Sequence, residues 1–153
     1  MTPAPNPITI LLADDDEDDR LITQHAFARH HLANDLRFAV DGEDLMDFLH
    51  RRGRHGQAPR PGLILLDLNM PKKDGREALK EIKADPALRT IPVVILTTSG
   101  EEEDILKTYD LGANSYIRKP VGFDALVRII DTLGTYWFQV VELPSVNGDG
   151  AHA

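Results

Sequence analysis

Leu63-Ile-Leu-Leu-Asp67-Leu-Asn69-Met-Pro71-Lys-Lys-Asp-Gly75 is the stretch whose reading settles the architecture. Four consecutive apolar residues are too few for a helix. An Arg/Gly/Pro-rich loop (51–62) precedes them and an acid stops them, so they read as a strand buried on both faces. The same pattern recurs on either side. Ile8-Thr-Ile-Leu-Leu-Ala13 stops at Asp14-Asp15-Asp16, Ile91-Pro-Val-Val-Ile-Leu96 stops at Thr97-Thr98-Ser99, and the short Ser115-Tyr116-Ile117 runs into Lys119-Pro120. A weaker alternation at Leu36–Val40 gives one more strand. Helical spacing follows each strand: Ile22, Ala26 and Phe27; Leu45, Phe48 and Leu49 after Asp41-Gly42; Ala78, Leu79 and Ile82; Ile105, Leu106 and Tyr109; Leu126, Ile130, Leu133, Trp137 and Val141. Strand–helix alternation of this kind predicts an α/β fold, a doubly wound five-stranded parallel sheet with an extended C-terminal helix. The expected boundaries are a loose tail over 1–7, the folded domain over 8–134, and a C-terminal extension over 135–153.

The bulk numbers agree with one domain. The chain has 153 residues, 42% of them hydrophobic and 27% charged. No apolar run reaches the roughly 20 residues of a membrane-spanning helix, and the first residues lack the basic and apolar segments of a secretory signal. A net charge of −8 argues against a nonspecific nucleic-acid binder. The chain has no cysteine, which excludes thiolate metal sites and is compatible with a reducing cytoplasm.

In open parallel sheets, ligands sit at the carboxyl ends of the strands. Those ends carry Asp14 and Asp15, Asp67, Thr97 and Lys119. Converging carboxylates repel unless a cation is present, and an all-oxygen set suits Mg²⁺. An ammonium and a hydroxyl beside a nucleophilic carboxylate make a place for an anion. Each residue alone has an ordinary explanation: a helix-start acid, a loop aspartate, a surface lysine before proline. Glu17, Asp18 and Asp19 fit the first of these, as acids favouring a helix N-terminus. Their company at successive strand ends is what carries the chemical reading.

At these residues the sequence resembles the receiver domains of two-component response regulators, over about Ile8 to Leu133. The resemblance rests on Ile-Leu-Leu-Ala-Asp14-Asp15-Asp16, the 63–75 stretch, Val-Ile-Leu-Thr97-Thr-Ser99 and Gly112-Ala-Asn-Ser-Tyr116-Ile-Arg-Lys119-Pro120. It implies a flavodoxin-like (βα)5 fold and Asp67 as the phosphoacceptor. Mg²⁺ (or Mn²⁺) would be held by Asp14, Asp15, Asp67 and the carbonyl of Asn69, with Asp14 acting largely through water. Lys119 and Thr97 would contact the phosphoryl group, Tyr116 would turn inward as Thr97 moves, and Asn69 and Ser99 would tune dephosphorylation. Pro71, Gly75 and Pro120 would be structural, and the Lys119–Pro120 bond is expected to be cis.

The long 51–62 loop and the continuation Tyr136-Trp137-Phe138-Gln-Val140-Val141 resemble regulators paired with cyanobacterial and bacterial phytochrome histidine kinases. The expected partner is therefore such a kinase, in the cytoplasm, with slow intrinsic autodephosphorylation. No DNA-binding module or membrane contact is expected. Tyr136, Trp137 and Phe138 are expected to form a homodimer contact, against the plainer alternative of packing on the domain itself.

Rival readings fit less well. A haloacid-dehalogenase-type phosphohydrolase needs Thr or Val where Asp18 stands. Asp14, Asp16 and Asp18 have EF-hand spacing, but Asp19 occupies the glycine position. No dinucleotide fingerprint follows a strand. A non-phosphorylated interaction module would leave Asp67 and Lys119 without purpose. His30, His31, His50 and His55 are expected at helix ends and loops, and Lys72, Lys73 and Arg76 on a solvated face.

Overall fold

The structure, a computed structural model, describes residues 9–29, 35–120 and 122–135. The elements run β1 (Thr9–Ala13), α1 (Glu17–Arg29), β2 (Asp35–Ala39), α2 (Gly42–His50), a 3-10 turn (Gly53–His55), β3 (Leu63–Leu66), α3 (Gly75–Ala84), β4 (Val93–Thr97), α4 (Glu102–Asp110), β5 (Ser115–Arg118) and α5 (Phe123–Thr135). The sheet is parallel throughout, in the order β2-β1-β3-β4-β5. The expected 1–7 tail, His30, His31 and the Tyr136, Trp137 and Phe138 contact lie outside the described residues.

Alternation along the central strands builds two cores. Ile10, Leu12, Leu63, Leu65, Val94 and Leu96 face α1 and α5, meeting Ala26, Leu126, Val127, Ile130 and Leu133. Leu11, Ala13, Ile64, Leu66, Val93 and Ile95 face the other way, toward Leu45, Phe48, Ala78, Leu79 and Ile82 of α2 and α3. Every residue of β1, β3 and β4 is buried, as continuous apolar strands covered on both faces require. Each such side chain stabilises the fold by about 1.5–3 kcal/mol relative to exposure.

Strand ends differ from the expected ones for identifiable reasons. β2 covers 35–39 instead of 36–40, because the Val40 amide turns away to donate to the Asp44 carboxylate at 3.0 Å. β4 begins at Val93, since Pro92 has no N–H for the ladder. The 51–62 loop contains the 3-10 turn and folds back along α2, where Arg54 and His55 both bind Asp44.

One expectation is corrected. No peptide bond among the described residues is cis, so Lys119–Pro120 is trans. Trans is the lower-energy isomer by about 0.5–1 kcal/mol, and with it the Lys119 amide still reaches the Thr97 carbonyl at 2.7 Å and its ammonium reaches the site. In α4, Leu106 and Tyr109 do not face the core: they are 60% and 48% exposed, while Asp104 and Thr108 are buried. Arg76 draws Asp104 inward, and the Tyr109 hydroxyl accepts from the edge-strand amide of Tyr116 at 3.1 Å.

Candidate functional site

The carboxyl ends of β1, β3, β4 and β5 bring Asp14, Asp15, Asp67, Thr97 and Lys119 together. Register brings them close: Ala13 pairs with Leu66, so Asp14 and Asp67 emerge side by side; Leu66 pairs with Ile95, so Thr97 stands one residue beyond Asp67's neighbour Leu96; and Thr97 pairs with Arg118, just before Lys119. Asp14 is buried. Its Oδ1 accepts from the Asp16 amide at 2.9 Å and its Oδ2 from Lys119 Nζ at 2.6 Å. Asp67, also buried, accepts on Oδ1 from Thr97 Oγ1 at 2.7 Å and from the Asn69 amide at 3.2 Å. Its Oδ2 accepts from Lys119 at 3.1 Å. Asp15 stands at the solvent edge.

Lys119 has one further partner that sequence reasoning assigned to solvent. Asp19, in the first turn of α1, accepts from Nζ at 2.7 Å. It lies four residues after Asp15, one helical turn on, and that spacing was the available signal.

Three carboxylates thus hold one ammonium, and Asp15 adds a fourth negative charge beside them. Burial pushes the Asp14 carboxyl up to about 6, against the pull of Lys119. For Lys119, burial opposes the charge, but Asp14, Asp19 and Asp67 outweigh it and hold the ammonium above the ordinary lysine value. The excess of negative charge suits a divalent cation. Carboxylate oxygens of Asp14, Asp15 and Asp67 lie within 4.8 Å of one another, and this is the one such cluster among the described residues. An all-oxygen, partly solvated set fits Mg²⁺ or Mn²⁺. Asn69 is exposed beside it.

The loop after Asp67 is shaped by close contacts. Lys72 is left-handed at φ 65° directly after Pro71. Gly75 sits so tightly on the Asp67 carbonyl that a Cβ there would collide with it. Asp74 caps α3 through the Arg76 amide at 2.7 Å. Pro120 is half-buried behind Lys119.

Tyr116 and Ser99 lie one step back from the carboxylates. The Tyr116 hydroxyl donates to the Ser99 carbonyl at 2.7 Å, and the ring packs on the core face of α2 and α3. Tyr116 is thus partly buried while Thr97 touches Asp67. Ser99 Oγ donates to Asp104 at 2.6 Å rather than reaching Asp67. Asp104 and the fork of Arg76 on it were not legible, because Asp104 closes a run of acids, 101–104, whose other members are exposed. His55 binds Asp44 and His50 is exposed, so neither joins a metal cluster.

Known proteins are similar to this chain in sequence and in fold. The family described as response regulator receiver domain matches residues 10–131. Response regulator Rcp1 of Synechocystis sp. is 41% identical over 139 residues, covering 91% of this chain and 95% of that protein. The crystal structure of Mn²⁺-bound Rcp1 superposes with a TM-score of 0.87, at 41% identity, over 91% of this chain and 100% of the other. The phosphorylated cyanobacterial phytochrome response regulator RcpA also gives 0.87, at 42% identity, over 91% and 99%.

Proposed function

Because the chain belongs to the response regulator receiver domain family, we propose that it accepts a phosphoryl group on Asp67 from the phosphohistidine of a sensor kinase. The observation that carries this is the environment of Asp67: a buried carboxylate with a hydroxyl on one oxygen and an ammonium on the other. An Asp67 oxygen attacks phosphorus, the donor's phosphorus–nitrogen bond breaks, and its electron pair leaves with the imidazole nitrogen. Lys119 and Thr97, already beside the two carboxylate oxygens, are placed to take phosphoryl oxygens as they arrive. Asp14, Asp15, Asp67 and the Asn69 carbonyl would hold Mg²⁺ or Mn²⁺, which supplies neutralising charge to the transferring group. Water attacking the phosphorus later releases inorganic phosphate and restores the carboxylate, slowly, under the influence of Asn69 and Ser99.

The likeness to RcpA, described as a phytochrome response regulator, supports a phytochrome-type kinase as the donor. We assign the chain a cytoplasmic place and a homodimeric state with Tyr136, Trp137 and Phe138 in the contact. The readout is a two-state shift: an added phosphoryl group biases the positions of Thr97 and Tyr116 only as far as it interacts differently with the two states.

Incubation with Mg²⁺ and acetyl phosphate or phosphoramidate, followed by intact-mass measurement, tests the central claim. The expected result is a gain of one phosphoryl unit that requires Mg²⁺ and is absent in Asp67→Asn. A gain that persists in Asp67→Asn would place the acceptor elsewhere.

A further inference from the structure

A second network lies behind the site, and the acceptor chemistry above makes no use of it. Arg76, in the first turn of α3, places a planar fork on Asp104, Nε to Oδ1 and Nη2 to Oδ2, both at 2.6 Å. Its remaining Nη1 holds Asp74, the cap of the same helix, at 2.9 Å. Asp104 accepts Ser99 Oγ at 2.6 Å as well. Ser99 in turn receives the Tyr116 hydroxyl on its carbonyl, and it sits two residues after Thr97, the residue bonded to Asp67. A chain of bonded groups therefore runs from the acceptor loop through Asp74, Arg76, Asp104 and Ser99 back to the strand that carries Thr97.

Apart from the Tyr116 hydroxyl on the Ser99 carbonyl and the Arg118 guanidinium beside Gly100, the turn between β4 and α4 is held mainly through the Ser99 side chain. Gly100 offers no side chain, and Thr98, Gly100 and Glu101 are exposed. The Glu101 amide reaches Ser99 Oγ only at 3.5 Å, and the Ser99 amide reaches Thr97 Oγ1 at the same length. The bidentate pair is the strong link, since charge-assisted forks are the shortest and most directional of side-chain hydrogen bonds.

We propose that Asp104, fixed by Arg76, is a positioning residue for phosphoryl retention: it holds Ser99 so that the β4–α4 turn keeps Thr97 on Asp67 and the Ser99 hydroxyl turned away from the acceptor. With Asp104 holding it, that hydroxyl donates to a carboxylate instead of to a water beside the phosphoryl group. Release of the pair loosens the turn, frees the hydroxyl and lets the Asp67 phosphoryl group hydrolyse faster.

This rests on Asp67 being the acceptor, and the test separates the two claims. Amide hydrogen exchange of the full chain is measured without any phosphoryl donor for Asp104→Asn and Arg76→Gln. Exchange at the Ile105 and Lys119 amides, bonded to the Glu101 and Thr97 carbonyls at the two ends of the turn, is expected to rise about tenfold, the size of one lost charge-assisted bond, while core amides of Leu11 and Leu65 stay protected. A general loss of stability raises both. Phosphoryl loss is then timed by intact mass in the same variants and in Ser99→Ala. Asp104→Asn is expected to shorten the lifetime several-fold in the native background and to have no added effect on Ser99→Ala, the mark of two residues acting as one unit. Unchanged exchange at Ile105 and Lys119, or an Asp104→Asn effect of equal size with and without Ser99, overturns the proposal. If the unaltered chain takes no phosphoryl group, the acceptor reading fails and the exchange comparison alone decides the role of Asp104.

Discussion

Asp14 and Asp104 are both buried acids; burial pushes each carboxyl up, but their partners leave them on opposite sides of the ordinary value. Asp14 shares Lys119 with two other carboxylates and is pushed up to about 6. Its pKa is higher folded than unfolded, so folding is weakened as pH rises from about 4 through about 6. Asp14→Asn is therefore expected to raise metal-free stability at pH 7 by about 1–2 kcal/mol in urea unfolding. The same variant is expected to lose most of the stabilisation that added Mg²⁺ gives the native chain, an exchange of stability for function. Asp104 takes the Nε and Nη2 edge of the Arg76 guanidinium, whose Nη1 holds Asp74, and accepts the Ser99 hydroxyl as well; the Arg76 pair holds it at about 2. Its folded value lies below its unfolded one. The pair's contribution is thus complete above about pH 4 and lost as pH falls toward 2. The stability gap between the native chain and Asp104→Asn, about 1–2 kcal/mol at pH 6 after allowance for solvent screening, is expected to close by pH 2. A gap that stays constant with pH would mean that the ion pair is not its source.

Among the elements, the strands were the most legible, because an apolar run covered on both faces tolerates no polar interruption, so each run stops where a charge or hydroxyl appears. That punctuation placed Asp14, Asp67, Thr97 and Lys119 correctly at their strand ends. Helices gave less. In α4 the spacing of Ile105, Leu106 and Tyr109 marked the helix but not its buried face: a core reading of Leu106 and Tyr109 does not hold, because a fork from a helix distant in sequence takes Asp104 inward instead. Runs of acids are illegible for a similar reason: in 14–19 and in 101–104 composition does not say which carboxylate finds a cation. Leu106→Gln is expected to change stability by less than about 0.5 kcal/mol, as a surface substitution does, while Leu79→Ala in α3 costs about 2–5 kcal/mol. Urea midpoints of the two variants compare them directly, and a large loss for Leu106→Gln would restore the core reading of that face.

For the molecule as a whole, a proposed dimer sets a test of mass. Light scattering of the full chain against a chain ending at Gly134 is expected to show a twofold difference beyond the mass of the removed residues. Equal monomer masses would remove the aromatic extension from the interface. The site itself spans the domain in another sense. Lys119 meets Asp14 across 105 positions and Asp67 across 52. Contacts that distant close late, after the entropy of a long loop has been overcome. During synthesis, a nascent chain that has not yet released β5 from the ribosome has its acids but no ammonium among them. A copy that stops before β5 therefore carries every acid of the site and none of its cation, and stays silent beside copies that include that strand.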